Sequence, residues 1–326
     1  MRKGFRTLAA IPVALVIAGV AVALWLAWGW YGPAHVEEDA SFIVPQGSTL
    51  TAIAEKLEEE GLIDSAGSFL VRAKIFGGGE PIQAGEFALP AGVSPSNILE
   101  TFQNGDVIRR FVTIPEGMPS IMVRERLMAE PLLTGDIPVP EEGSVLPESY
   151  DFERNEPRAD VLARMQAAME EALAEAWAAR KAGIAVSTPA EAVALASIVE
   201  KETGVPRERR MVAGLYSNRL RQGMMLQADP TIIYPITKGK PLGRRIRQSE
   251  IRAVNGYNTY SMVGLPEGPI TNPGRASIEA VLNPAPTDAL YMVADGSGGH
   301  AFAETLAEHN ANVAKWYRLR RERGEM

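Results

Sequence analysis

Apolar residues fill the first part of the chain almost without interruption. Arg2, Lys3 and Arg6 precede an uncharged run from Thr7 to Tyr31. Its apolar centre, Ile11 to Trp30, spans about 30 Å as a helix, which matches the hydrocarbon thickness of a bilayer. The pattern therefore predicts a single membrane-spanning helix within residues 1–31, behind a short cytoplasmic stub.

The far end of this run is aromatic, with Trp25, Trp28, Trp30 and Tyr31. Such a cluster is typical of an interfacial belt. The run exceeds the roughly 7–15 apolar residues of a cleavable signal peptide, so we expect a retained anchor, with a removed signal as the alternative. Basic residues before the helix keep the N-terminus in the cytoplasm. The remainder is expected in the periplasm of a bacterium, anchored to the inner (plasma) membrane.

Beyond a polar linker predicted at residues 32–40, one local pattern occurs three times. An apolar strand, a Pro-x-Gly turn and an amphipathic helix follow one another from Phe42, from Phe87 and from Phe111. A glycine at that point suits a tight strand-to-helix turn. Residues 131–149 are rich in Pro, Gly and Glu and indicate a loop, and an apolar stripe predicts a long helix from Arg158 to Ala182. The predicted fold class is α+β.

One later helix carries an acidic residue where an apolar one is expected. Thr188-Pro189-Ala190-Glu191 is a capping box with proline at the first helical position, and Gly204 ends the helix. At about 100° per residue, Glu202 falls on the apolar face of Leu195, Ile198 and Val199, whereas Glu200 projects nearly opposite and is expected in solvent or behind the site.

Burial and the helix C-terminus both raise the pKa of a carboxyl group. A carboxyl group that stays protonated near neutral pH is what a general acid requires to protonate a glycosidic oxygen. The sequence therefore makes Glu202 a candidate acid. The alternative is a purely structural Glu202 paired with a buried arginine such as Arg207 or Arg219.

The amino-acid composition argues against several classes of protein function. The 326 residues carry a formal net charge of -7, which argues against a general nucleic-acid partner. Cysteine is absent, which excludes a disulfide framework, a thiol nucleophile and cysteine-bound metal. His35, His300 and His309 form no ligand motif, so we predict neither metal nor cofactor. The glycines at 296–299 lack the Lys-Ser/Thr pair of a phosphate-binding loop.

A set of motifs carries a family resemblance. Ala196-Ser-Ile-Val-Glu-Lys-Glu-Thr-Gly204 resembles the catalytic helix end of lytic transglycosylases, and Leu226-Gln-Ala-Asp-Pro-Thr-Ile-Ile-Tyr234, Tyr257-Asn-Thr-Tyr260 and Ala294-Asp-Gly-Ser-Gly-Gly-His-Ala-Phe302 follow it. In this order they resemble the YceG-like endolytic murein transglycosylases. The resemblance implies a LysM-like βααβ subdomain at 41–112, which could equally be a packing unit without a ligand, and a catalytic domain at 113–326.

By this resemblance Glu202 is the catalytic acid/base. Further polar groups are candidates for contacts to the sugar: Glu200, Asn218, Gln227, Asp229, Tyr234, Tyr257, Asn258 and Thr259. Two other roles are open for Asp229. It could be a turn residue that caps Thr231, which is the interpretation we favour slightly, or the second carboxylate of a hydrolase.

The implied reaction cleaves peptidoglycan within its glycan strands and leaves 1,6-anhydro-muramic ends, which could terminate nascent strands. Glycan polymerases, penicillin-binding proteins and division proteins are the expected protein partners, and the basic run at 238–247 could meet the carboxylates of peptide stems. A muramidase and a non-catalytic glycan-binding scaffold remain the alternatives.

Overall fold

The computed structural model describes residues 4–33 and 36–325. Arg2, Lys3 and His35, on which part of the analysis above depends, lie outside the described residues. The chain divides into two compact units, residues 1–110 and residues 111–326. The elements mix helices with short two-stranded sheets, which confirms the α+β class.

The first unit begins with α1, Gly4–Tyr31. Its segment Val13–Tyr31 has a mean hydropathy of 2.1 and is only 6% buried, so by length and composition it can cross a membrane. The helix is confirmed, and its insertion into a bilayer stays a prediction.

The end of α1 joins the core of the first unit. Trp30 is 2% exposed and its ring lies 5.5 Å from that of Phe69, centroid to centroid. Tyr31 similarly contacts Phe76 at 5.9 Å. The ring of Trp30 is therefore covered by protein of the same unit, which the pattern along one helix does not predict, and the interfacial belt stays a prediction. Within the predicted linker, Val36 is buried as well and its carbonyl accepts a hydrogen bond from the Gly92 amide.

The rest of the first unit has the predicted βααβ order followed by a helix: β1 Ala40–Val44, α2 Leu50–Glu59, α3 Ala66–Phe76, β2 Gly85–Leu89 and α4 Pro95–Asn104. The strands are antiparallel, with Phe42 opposite Phe87. Both rings contact Phe102, and all three phenylalanines are fully buried. This cluster is the centre of the unit.

All three predicted strand–turn–helix segments form. The glycines of the Pro-x-Gly turns have positive φ, at 76° for Gly47, 73° for Gly92 and 73° for Gly117. Only glycine adopts that conformation without strain, so the sequence signal has a direct conformational cause.

Strand β3, Arg110–Thr113, begins at the last residue of the first unit and continues into the second. The second unit then contains α5 Ser120–Met128, β4 Ser149–Phe152, α6 Arg158–Ala178, α7 Pro189–Glu202, α8 Arg209–Arg221, α9 Asp229–Thr237, α10 Gln248–Ile251, α11 Arg275–Leu282, β5 Tyr291–Ala294, β6 His300–Ala303 and α12 Leu306–Glu322. Strand β3 pairs with β4, and β5 with β6. Helix α6 ends at Ala178, four residues before the predicted Ala182. The chain turns there, and the Lys181 amide donates to the Leu282 carbonyl instead of continuing the helix.

Helix α7 is the centre of the second unit. Every residue from Ala192 to Val199 is buried, and α8 and α11 pack against it. A helix buried this completely is held on several sides, so its last turn has a fixed position.

Candidate active site

Local hydrogen bonds fix both ends of α7. The Thr188 side chain accepts from the Glu191 amide at 3.1 Å, as the sequence predicts. The helix ends at Glu202 with Thr203 as its C-cap, one residue earlier than predicted. In the middle, the Ser197 hydroxyl donates to the Ala194 carbonyl and accepts from the Ile270 amide at 3.0 Å. These contacts hold Glu202, the last helical residue, at the mouth of a cavity.

The cavity measures about 360 Å³ and is open to solvent on one side. The end of α7, one face of α8, the start of α9, one residue of β5 and three loop residues enclose it. Its lining residues are Lys201, Glu202, Leu215, Tyr216, Arg219, Leu226, Gln227, Asp229, Pro230, Tyr260 and Met292. Of the nine site residues predicted from sequence, Glu202, Gln227 and Asp229 therefore meet here.

The environment of Glu202 favours its neutral form. Burial raises the pKa of its carboxyl group to about 7, and the negative charge of Asp229 contributes to the increase. The Tyr216 hydroxyl and the Arg219 guanidinium oppose the increase and only partly offset it. At neutral pH about half of the Glu202 population is thus protonated.

Arg219 does not act as the structural partner considered above. Its Nε donates to the Leu290 carbonyl at 2.6 Å, and another guanidinium nitrogen donates to the carbonyls of Met225 and Leu226. Among the described residues, no cation lies within ion-pair distance of the Glu202 carboxylate. Arg219 instead organises the backbone at the bottom of the cavity, and Arg207 is exposed.

Asp229 is exposed at the cavity rim and accepts a hydrogen bond from the Tyr260 hydroxyl at 2.6 Å. The favoured interpretation as a turn cap is wrong, because the amide and the hydroxyl of Thr231 both donate to the Ala228 carbonyl. Gln227 beside it has φ of 51°, a strained value for a residue with a side chain. Its exposed amide lies at the rim.

Glu200 lies on the other side of α7, as predicted, but not in solvent. Its side chain is 6% exposed and accepts from the Gly274 amide at 2.9 Å, with Arg209 at 3.5 Å. Helix α11 begins directly after Gly274, so its positive end faces this carboxylate. Glu200 therefore ties α7 to α11, and protein groups occupy its oxygens.

Two other predicted sugar contacts are internal. Asn258 is fully buried and donates to the carbonyls of Ile251 and Ala253, while its side-chain oxygen accepts from the Tyr260 amide. The Thr259 hydroxyl is hydrogen-bonded to the Thr231 hydroxyl at 2.8 Å and accepts from the Ala228 amide. Both residues position the loop that carries Tyr260.

The remaining predicted contacts also lie outside the cavity lining. Asn218 donates to the Thr287 carbonyl at 2.7 Å. The rings of Tyr234 and Tyr257 pack on each other at 4.7 Å, and Tyr234 is buried, with its hydroxyl beside Glu142. A sugar cannot stack on a Tyr234 face that Tyr257 covers.

The model of the YceG-like family matches residues 42–315. The chain belongs to the YceG-like family. It is 28% identical to the endolytic murein transglycosylase of Bacillus subtilis, over 88% of this chain and 89% of that protein. The protein of the same name from Streptococcus pneumoniae strain D39 is also 28% identical, over 83% of this chain, which spans only 57% of its length. A YceG-like protein from Listeria monocytogenes, solved at 2.6 Å, aligns with 84% of this chain and 98% of its own, at 25% identity and a TM-score of 0.51.

Sequence reasoning on this YceG-like chain missed two tyrosines of the cavity, Tyr216 and Tyr260. Tyr216 stands one helical turn before Arg219 on α8, which places both on one face. That spacing could have predicted Tyr216 as a cavity residue, whereas no sequence pattern of comparable strength points to Tyr260. No group of three or more His, Cys, Asp or Glu suited to a metal occurs within residues 4–33 and 36–325.

Proposed function

We propose that this YceG-like protein is a lytic transglycosylase that cleaves the bond between muramic acid and N-acetylglucosamine within peptidoglycan strands. The main support for the proposal is Glu202, because its carboxyl group has a pKa of about 7 and lines a cavity that is open to solvent. The name of the relatives, endolytic murein transglycosylase, supports the same activity.

One carboxyl group is sufficient for this reaction. Protonated Glu202 donates its proton to the glycosidic oxygen, and the bond from that oxygen to C1 of muramic acid breaks. The resulting carboxylate then accepts the proton of the 6-hydroxyl of the same sugar, whose oxygen attacks C1. The product is a 1,6-anhydro end, and no water is consumed. Intramolecular attack supplies a high effective molarity, so no second protein nucleophile is required.

Asp229 and Tyr260 support this cycle electrostatically. The Tyr260 hydroxyl holds the Asp229 carboxylate at the rim, and the charge of Asp229 helps to keep the Glu202 proton in place. A fixed negative charge also stabilises the positive charge that develops on the sugar in the transition state.

A hydrolytic reaction is the second candidate, because Asp229 lies in the same cavity as Glu202. A carboxylate that positions water would produce reducing ends, as in glycosidases with two acidic residues. A glycan-binding scaffold is the third, and it would use the βααβ unit as a LysM-like module.

Mass spectrometry of digested glycan strands separates these candidates. Wild-type protein should produce anhydro ends, and Glu202→Gln should produce none. Glu200→Gln is the matched control, since this neighbouring carboxylate contacts Gly274 and Arg209 instead of the cavity. Reducing ends from the wild type would favour the muramidase, and equal strand lengths with Glu202→Gln would favour the scaffold.

The cellular setting belongs to the same proposal. We place α1 across the inner membrane, with the N-terminus in the cytoplasm and the cavity in the periplasm, where nascent strands emerge. Cleavage there would terminate strand elongation beside glycan polymerases, penicillin-binding proteins and division proteins. Protection of the C-terminus from protease added to spheroplasts would contradict this orientation.

A further inference from the structure

A second cavity adjoins the one at Glu202, since the two share lining residues. It measures about 490 Å³ and runs between the segment before α5, the start of α9 and the loop after it. Lys201 and Pro230 line both cavities, so they form the boundary between them. We call this second cavity the side groove.

The side groove is mainly apolar. Met118, Met122, Ile233, Leu242 and Ile270 contribute to its lining, together with several prolines. Gly239 closes one wall tightly, since a Cβ atom there would lie 2.7 Å from Pro119.

One cation is available in the side groove. Lys240 is paired with Glu125, and the acidic Glu116 is paired with Arg209. The Lys201 ammonium contacts only the Gly117 carbonyl, at 3.4 Å, and it makes no ion pair within the part of the chain that the structure describes. An apolar channel with a cation at its entrance complements a small-residue peptide that carries carboxylates.

We infer that the side groove binds the peptide stem of the muramic acid whose bond lies at Glu202; this rests on the proposed function. The stem is attached to C3 of that same sugar through a lactyl group, so it must leave the catalytic cavity within a few ångströms. Lys201 lies at that exit and meets the acidic group near the start of the stem. The alanine methyls pack on Met122 and Leu242.

The test compares two substrates: glycan strands with intact stems, and strands from which an amidase has removed the stems. The ratio of kcat/KM values is the readout, since a general loss of chemistry cancels in it. The wild type should prefer stem-bearing strands. Met122→Glu should lower that ratio about tenfold relative to Met122→Gln, because it places a negative charge in the path of an acidic ligand.

A second pair of variants controls for misfolding of the Met122 variants. Lys201→Gln should lower the ratio, and Lys201→Arg should retain it because the charge remains. Equal wild-type rates on both substrates, or a ratio that Met122→Glu and Lys201→Gln leave unchanged, would overturn the inference. That result leaves the proposed function intact, whereas undiminished cleavage of both substrates by Glu202→Gln would overturn the function itself.

Discussion

Replacing Asp229 with asparagine tests the electrostatic coupling in the cavity. The substitution keeps the shape of the side chain and its ability to accept from Tyr260, while it removes the negative charge next to Glu202. Because that charge raises the pKa of Glu202, its removal should lower this pKa.

The magnitude follows from the two causes of the increase. The pKa of Glu202 rises from 4.5 to about 7, with burial as the larger cause and Asp229 as the second. Burial is the larger of the two causes that raise the pKa, so we assign on the order of one pH unit to Asp229, the size typical of one neighbouring charge. At pH 7 the protonated fraction of Glu202 would fall from about one half to about one tenth.

The assay is the pH dependence of kcat/KM on glycan strands, whose basic limb reports the acid of the free enzyme. Asp229→Asn should move that limb about one pH unit to lower pH and reduce the rate about fivefold at pH 7. At pH 5.5 the rate should be nearly unchanged, because Glu202 is mostly protonated in both proteins at that pH.

Tyr260→Phe is the matched control, since it removes the hydrogen bond to Asp229 but leaves the carboxylate. Its basic limb should not move to lower pH. If Asp229→Asn leaves the limb in place, or if both variants shift it equally, the charge of Asp229 does not act on Glu202 as we describe.

Three further substitutions test the same structure through the free energy of unfolding in urea. The pKa of Glu202 is higher in the folded protein than in the unfolded chain, so the free energy of unfolding of the wild type should fall as the pH rises from 4.5 through 7. Glu202→Gln has no such dependence and should be more stable than the wild type by up to about 3 kcal/mol at pH 8, and equal to it at pH 4.5. Asn258→Ala leaves the part-buried carbonyls of Ile251 and Ala253 without their side-chain donor and should cost about 1 kcal/mol. Activity should fall because Tyr260 is displaced, and Asn258→Asp at low pH should partly restore it. Gly214→Ala places a Cβ atom 2.7 Å from the Ala285 carbonyl and should cost about 1–3 kcal/mol; an unchanged urea midpoint would show that this contact is not tight.

Local signals in the sequence were sufficient for most elements. The cap at Thr188, the proline after it and the stop at Gly204 define α7, because capping depends on residues within one turn. The same holds for the turns at Gly47 and Gly92, where the backbone conformation itself requires glycine.

Contacts between distant segments set the limits of prediction. Glu200 is buried by Gly274, which is 74 residues away, and periodicity along α7 has no information about that partner. Tyr260 reaches Asp229 across 31 residues, and this pairing decides which polar residues face the cavity. The position of Glu202 was predictable because its own helix face determines it, whereas the internal roles of Asn258 and Thr259 were not.

The isotope content of the products tests the central claim, that Glu202 alone drives cleavage without water. Glycan strands are digested with wild-type protein in water enriched in oxygen-18, and the muramic ends are weighed. Our account predicts ends one water lighter than reducing ends, with no heavy oxygen, and none of them with Glu202→Gln. Reducing ends that contain oxygen-18, or anhydro ends that persist with Glu202→Gln, would contradict it.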